Sequence, residues 1–192
     1  MEPTLILAST SPRRKELLEL VHIPFTIRKQ DVDESVITIN DPAQRAEQLS
    51  LHKAVHTNFI HSSEVILSAD TVVAFEGKIY GKPKDKEEAY AMLSTLSGNK
   101  HEVFTGVTIR SQEKTISFVE STSVEFWSLT EDEIHAYIKS NDVYDKAGAY
   151  GIQSLGASLV KKIDGDFYTV VGLPISKVVR ELKQFHINPI NL

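Results

Sequence analysis

The chain has 192 residues, 26 acidic and 21 basic, for a formal net charge of −5. That length allows one substantial core, and no run of basic residues suits a nucleic-acid backbone, so no nucleic-acid partner is expected. Cysteine is absent, which excludes disulfides, thiol catalysis and thiolate metal sites together and fits a reducing compartment.

No apolar run approaches the roughly 20 residues that span a bilayer. Residues 5–8 are too short for a signal-peptide core and lack a basic flank. A soluble, cytoplasmic protein with no membrane partner is expected.

The apolar run Leu5-Ile6-Leu7-Ala8 reads as a buried strand that stops at Ser9, Thr10 and Ser11. Ser11 is placed as an N-cap and Pro12 as the first residue of a helix. Arg13 and Arg14 then put two cations on the first turn, against the positive end of the helix dipole. Two solvated arginines would satisfy this pattern. So would a phosphate held by free N–H groups, hydroxyls and two guanidinium forks. The chain has no Gly-x-x-x-x-Gly-Lys-Ser/Thr loop, which disfavours a kinase or GTPase.

Residues 25–28 read as a second strand. Asp31, Asp33 and Glu34 follow as an acidic turn or a source of hard-metal ligands. Asp41-Pro42 opens a helix expected to run to about Ile60, with Ala46, Leu49 and Ile60 on its inner stripe and Lys53 falling inside that stripe. There Lys53 either snorkels or faces a phosphate. His52 and His56 have i,i+4 spacing, but Lys53 stands where a metalloprotease motif needs Glu, and a zinc site is not expected.

Within residues 64–73, Asp70 interrupts two strand-like segments. A carboxylate there is costly unless exposed at a strand end or strongly partnered, and such strand ends are where α/β enzymes often keep catalytic groups. Glu76-Gly77-Lys78 reads as a hairpin turn, and Lys82, between Gly81 and Pro83, is a weaker phosphate candidate.

Asp85 caps a helix with Ala89, Met92, Leu93 and Leu96 as core and Gly98 as its stop. Residues 101–109 and 115–127 alternate as two long antiparallel strands. Thr130 and Glu133 form a capping box. Residues 145–153 are a loop of small residues whose glycines allow close approach of a ligand. Asp164-Gly165-Asp166 reads as the turn of a hairpin between residues 159–163 and 167–171, and Pro174 starts a last helix. This pattern predicts one α/β domain over residues 1–192, a long, curved, mixed β-sheet flanked by helices, with room for a second lobe around a central cleft.

Five motifs in this order resemble the Maf family of nucleoside triphosphate pyrophosphatases, also called septum-formation inhibitor proteins. They are Ser9-Thr10-Ser11-Pro12-Arg13-Arg14-x-Glu16-Leu17-Leu18, Ala69-Asp70-Thr71, Gly81-Lys82-Pro83, Asp145-Lys146-Ala147-Gly148-x-Tyr150-Gly151-Ile152-Gln153 and Gly172-Leu173-Pro174. The resemblance implies a fold similar to the inosine-triphosphate pyrophosphatases. It implies cleavage of a nucleoside triphosphate to monophosphate and pyrophosphate with a divalent cation, Mg²⁺ or Mn²⁺.

It further implies that Asp70 is the catalytic proton acceptor and that Arg13, Thr71 and Gln153 set substrate choice, here matching the branch that takes dTTP and UTP. Ser154 departs from the Gly that many relatives carry there. Ser9, Arg13, Arg14, Lys53 and Lys82 are the expected phosphate ligands. Asp70, with Glu34 or Asp33, is the expected metal-binding set. Family members are often homodimers. The rival reading is a nucleotide-sensing regulator that binds a cell-division protein at septum formation. A modified purine or pyrimidine triphosphate is a further candidate substrate.

Overall fold

The computed structural model describes residues 2–30, 32–140 and 142–190; Asp31 of the acidic turn lies outside them. The strands are β1 (Thr4–Leu7), β2 (Phe25–Ile27), β3 (Glu64–Phe75), β4 (Lys78–Tyr80), β5 (Lys100–Arg110), β6 (Thr115–Phe126) and β7 (Val160–Asp164). The helices are α1 (Pro12–Leu20), α2 (Pro42–Val55), α3 (Lys86–Leu96), α4 (Glu131–Lys139), α5 (Phe167–Val171) and α6 (Ile175–Leu182). The strands make one mixed sheet in the order β2-β1-β3-β5-β6-β7, with β4 added to β3. The pairs β1–β2 and β1–β3 are parallel and the rest antiparallel. Among the described residues no helix is long and apolar enough to cross a membrane.

The cap residues act as their sequence positions suggest. Asp41 accepts from the Gln44 N–H (2.8 Å) and Asp85 from the Glu88 N–H (2.7 Å), while Thr130 and Glu133 exchange the two bonds of a capping box. Ser11 takes the N-cap position of α1 without a side-chain capping bond; its N–H instead donates to Ser9 Oγ at 3.2 Å.

Two expected elements differ. Helix α2 ends at Val55, short of Ile60, because Glu64 Oε2 captures the Ile60 N–H at 2.8 Å and Arg28 holds that carboxylate. Ile60 is left 67 % exposed. The expected hairpin after Asp164 is a strand followed by a helix. Asp166 accepts both the N–H (2.7 Å) and the hydroxyl (2.8 Å) of Thr169, so it caps α5 rather than closing a turn, and β7 pairs with β6.

Helix α2 crosses one face of the sheet. It comes closest at Gly106 of β5, where a Cβ would sit 2.2 Å from the Ala46 carbonyl oxygen, so glycine alone permits this approach. The opposite face carries two apolar cores. One gathers Leu5, Leu7, Leu67, Ala69, Val107 and Ile109 under Leu17 and Leu18 of α1 and Val178 and Leu182 of α6. The other gathers Val73, Val103, Val124 and Phe126 under α3 and α4. Between them on the same face stand two hydroxyls, Thr71 and Thr105, directly paired across β3 and β5.

Against the second core lies a buried histidine, His101, which is 1 % exposed and whose Nε2 lies 2.9 Å from the Tyr150 hydroxyl. Among the described residues its Nδ1 has no hydrogen-bond partner, and burial lowers its pKa from 6.5 to about 4. The unfolded chain therefore binds a proton that the folded one refuses, and stability falls as pH drops from about 6.5 toward 4, by up to about 3 kcal/mol. Thermal melts at pH 7 and pH 5 are expected to show this loss in the native protein. A His101→Phe variant is expected to lose that part of the pH slope, although weaker at both pH values for want of the Tyr150 contact.

Candidate active site

Strand β5 runs along one edge of β3 from Ile66 to Ala74, so β1 and β4 must share the other edge. Strand β1 covers that edge only up to Leu67 and β4 begins only at Val73. Among the described residues no strand lies beside residues 68–72 there, and a cleft of about 720 Å³ occupies the gap. It is walled by the turn after β1, the start of α1, the inner side of α2, the β4 end and the loop at residues 145–153. Side chains alternate across a strand, so Asp70 and Thr71 leave opposite faces of β3. Both line the cleft, because it wraps round the uncovered edge.

Of the two settings that make such a carboxylate tolerable, a strand end or a strong partner, the structure shows the second: Asp70 lies within a continuous 12-residue strand and is 8 % exposed. What makes this tolerable is Lys53, an inward residue of α2 that is 7 % exposed. Its ammonium bonds the Asp70 carboxylate and also reaches Glu34 Oε1 at 2.9 Å. Partial burial would raise the Glu34 pKa, but the Lys53 bond and the charges of Lys53, Lys82 and Arg14 outweigh it and hold Glu34 below the usual carboxylate range. Asp33 does not line the cleft; its carboxylate accepts from the Ser35 N–H and hydroxyl.

On the other side of β3, Arg14 is spread over three acceptors: Gly172 O (2.8 Å), Ser9 Oγ (3.3 Å) and Thr71 Oγ1 (3.4 Å). Burial pulls its guanidinium below the usual arginine value, and the Asp70 charge works against that pull. Arg13 pairs with Asp145 at 2.8 Å. Partial burial would raise the Asp145 carboxyl, but Lys146 and Arg13 hold it at about 2.

The loop at residues 145–153 is braced from below. Lys146 bonds Asp142 (2.8 Å) and Asp145 (2.6 Å). The Gly151 N–H donates to the Tyr137 hydroxyl at 3.1 Å, and the Gly148 N–H to Gly81 O at 3.0 Å. Ser154 turns its hydroxyl to Asp142 and Gly151 O. Gln153, at the far end of this loop, is exposed on the cleft wall.

A family model described as Maf-like protein matches residues 4–185 of this sequence. The chain belongs to that family. A protein of Bacillus cytotoxicus named dTTP/UTP pyrophosphatase is 52 % identical over 94 % of this chain and 94 % of its own length. One of Bacillus cereus with the same name is 52 % identical over 96 % of each chain. Among solved structures, a HAM1 protein from Coxiella burnetii superposes with a TM-score of 0.52 over 95 % of this chain and 99 % of that one, at 14 % identity. The fold is thus shared with that HAM1 protein.

The cleft gathers Ser9, Arg13, Arg14, Asp70, Thr71, Lys82 and Gln153 from the family motifs, together with Glu34 and Lys53, which were singled out from local sequence pattern. Arg45 and Gln30 line it as well, and neither carries a motif. Arg45 was within reach of the helical pattern. It precedes Leu49 by four and Lys53 by eight, the spacing of one helix stripe, about 12 Å along the axis from Lys53. Among the described residues it has no ion-pair partner. Nor do the described residues hold a cluster of three or more His, Cys, Asp or Glu side chains able to bind a metal unaided.

Proposed function

We propose that this chain cleaves dTTP and UTP between the α- and β-phosphates, giving the monophosphate and pyrophosphate. The observation that carries the reading is the break in the sheet at residues 68–72. It places a carboxylate–lysine–carboxylate set on one side of β3 and the Thr71 hydroxyl, with Arg14, on the other, in a single cleft of nucleotide size. The relatives named dTTP/UTP pyrophosphatase support the substrate.

Glu34 and Asp70 fit a divalent cation of the Mg²⁺ or Mn²⁺ kind. They supply hard oxygen donors but only two of them, the number Mg²⁺ takes from protein when substrate phosphates supply others. Such a cation, when bound, offsets polyphosphate charge and lowers the pKa of water.

Catalysis of phosphoryl cleavage is mostly positioning and charge neutralisation. Asp70 orients the attacking water and accepts its proton. Lys53 keeps the Asp70 and Glu34 carboxylates in place. Arg13, Arg14, Lys82 and, outside the motifs, Arg45 neutralise charge on the phosphates and on the departing pyrophosphate. Gln153 presents a donor and an acceptor on one amide, suited to the carbonyl and N–H edge of uracil and thymine.

The test is a panel of normal and modified triphosphates with Mg²⁺, Mn²⁺ or chelator, scored for monophosphate and pyrophosphate. Pyrimidine substrates with metal are expected to react fastest, and Gln153→Glu is expected to lower the preference for UTP over GTP about tenfold. Orthophosphate as the product, or no turnover of any pyrimidine triphosphate, would refute the assignment.

A further inference from the structure

Thr105 is 0 % exposed and touches no part of the cleft surface, yet its hydroxyl determines what Thr71 offers there. Thr105 Oγ1 donates to the Thr169 carbonyl at 2.7 Å. That carbonyl lies in the last turn of α5, where helix carbonyls lack partners along the chain. A carbonyl can only accept, so the single Thr105 proton is spent on it. Thr71 Oγ1 stands 2.9 Å from Thr105 Oγ1, and the only attractive arrangement left is for Thr71 to donate to Thr105. Arg14 Nη2, itself only a donor, meets Thr71 Oγ1 from the other side at 3.4 Å.

The proton of Thr71 is thus turned inward. What it presents to the cleft is a lone pair.

We infer that Thr105 is a specificity-positioning residue: by taking the Thr71 proton it makes Thr71 an acceptor-only group that favours a base carrying a ring N–H, uracil or thymine, over cytosine, whose ring nitrogen at that position is itself an acceptor. This rests on the proposed function and on Thr71 facing the base. Thr169 is held for its part by Asp166 at the start of α5, so the direction of the chain of bonds is set from outside the cleft.

The test compares Thr105→Val, Thr105→Ser and Thr71→Val with the native protein, measuring kcat/KM for UTP and CTP in competition. A ratio taken within one preparation does not depend on how much of a variant is folded. Thr105→Val keeps the side-chain shape and frees the Thr71 proton. It is expected to lower the UTP:CTP ratio about tenfold, the worth of one hydrogen bond, chiefly through faster CTP turnover. Thr105→Ser retains the hydroxyl and is expected to keep the native ratio.

If Thr71→Val shifts the ratio and Thr105→Val does not, the inference fails while the pyrophosphatase reading stands. A shift in Thr105→Ser equal to that in Thr105→Val also overturns it, because packing and not the proton would then be the cause. If Thr71→Val leaves the ratio unchanged, Thr71 does not read the base and the inference falls with that part of the reading.

Discussion

Asp70→Asn is expected to reduce kcat for pyrophosphate release by on the order of 10⁴. A positioned proton acceptor is worth about 10²–10⁴, and the substitution also removes one of the two carboxylates that fit a divalent cation. The fold should survive it, because the amide matches the carboxylate in volume and Lys53 keeps Glu34 as an ion-pair partner at 2.9 Å. Steady-state assays at saturating UTP and metal, with a thermal melt of the same sample, check both halves. An Asp70→Asn protein with near-native turnover would remove Asp70 from the chemistry, whatever the relatives do.

Lys53→Met is expected to cost both stability and rate. The methylenes of Met fill most of the same space, but Asp70, with a side chain 11 % exposed, loses its cation. Removing one member of a buried pair strands the other, at about 3 kcal/mol. Glu34 loses the Lys53 bond and charge that, together with Lys82 and Arg14, outweigh its desolvation, so its pKa should rise. The rate should fall about 10²–10³-fold, the usual effect of deleting one charge-stabilising donor. Urea unfolding gives the first quantity and pyrophosphate release the second. Native activity in a folded Lys53→Met protein would make the lysine a structural counter-charge only.

Much of this was legible in the sequence because the signals are local. Asp41-Pro42 and Asp85 read as helix starts without any distant partner; a short polar side chain one turn from an amide acts within four residues. Lys53 could be placed inward from helical spacing alone. The hairpin at Glu76-Gly77 follows from backbone preference, with both residues at positive φ, 49° and 76°.

The misreadings came where a distant or competing group decided. Glu64 and Arg28 ended the approach to β3 in place of a longer α2. Asp166 had two local options, turn or helix cap, and Thr169 selected the cap. Asp70 was read as needing a strand end or a strong partner, and which of the two held was decided by Lys53, 17 residues away on another element.

The sequence by itself determined most of the elements, the inward face of α2 and the family motifs, since caps, turns and periodicity depend on neighbours a few residues apart. Only the tertiary structure decided that β1 stops at Leu7 and β4 starts opposite Val73, leaving one edge of β3 bare. That gap depends on pairing between segments far apart in the chain. It lets two adjacent residues on opposite faces, Asp70 and Thr71, serve one cleft.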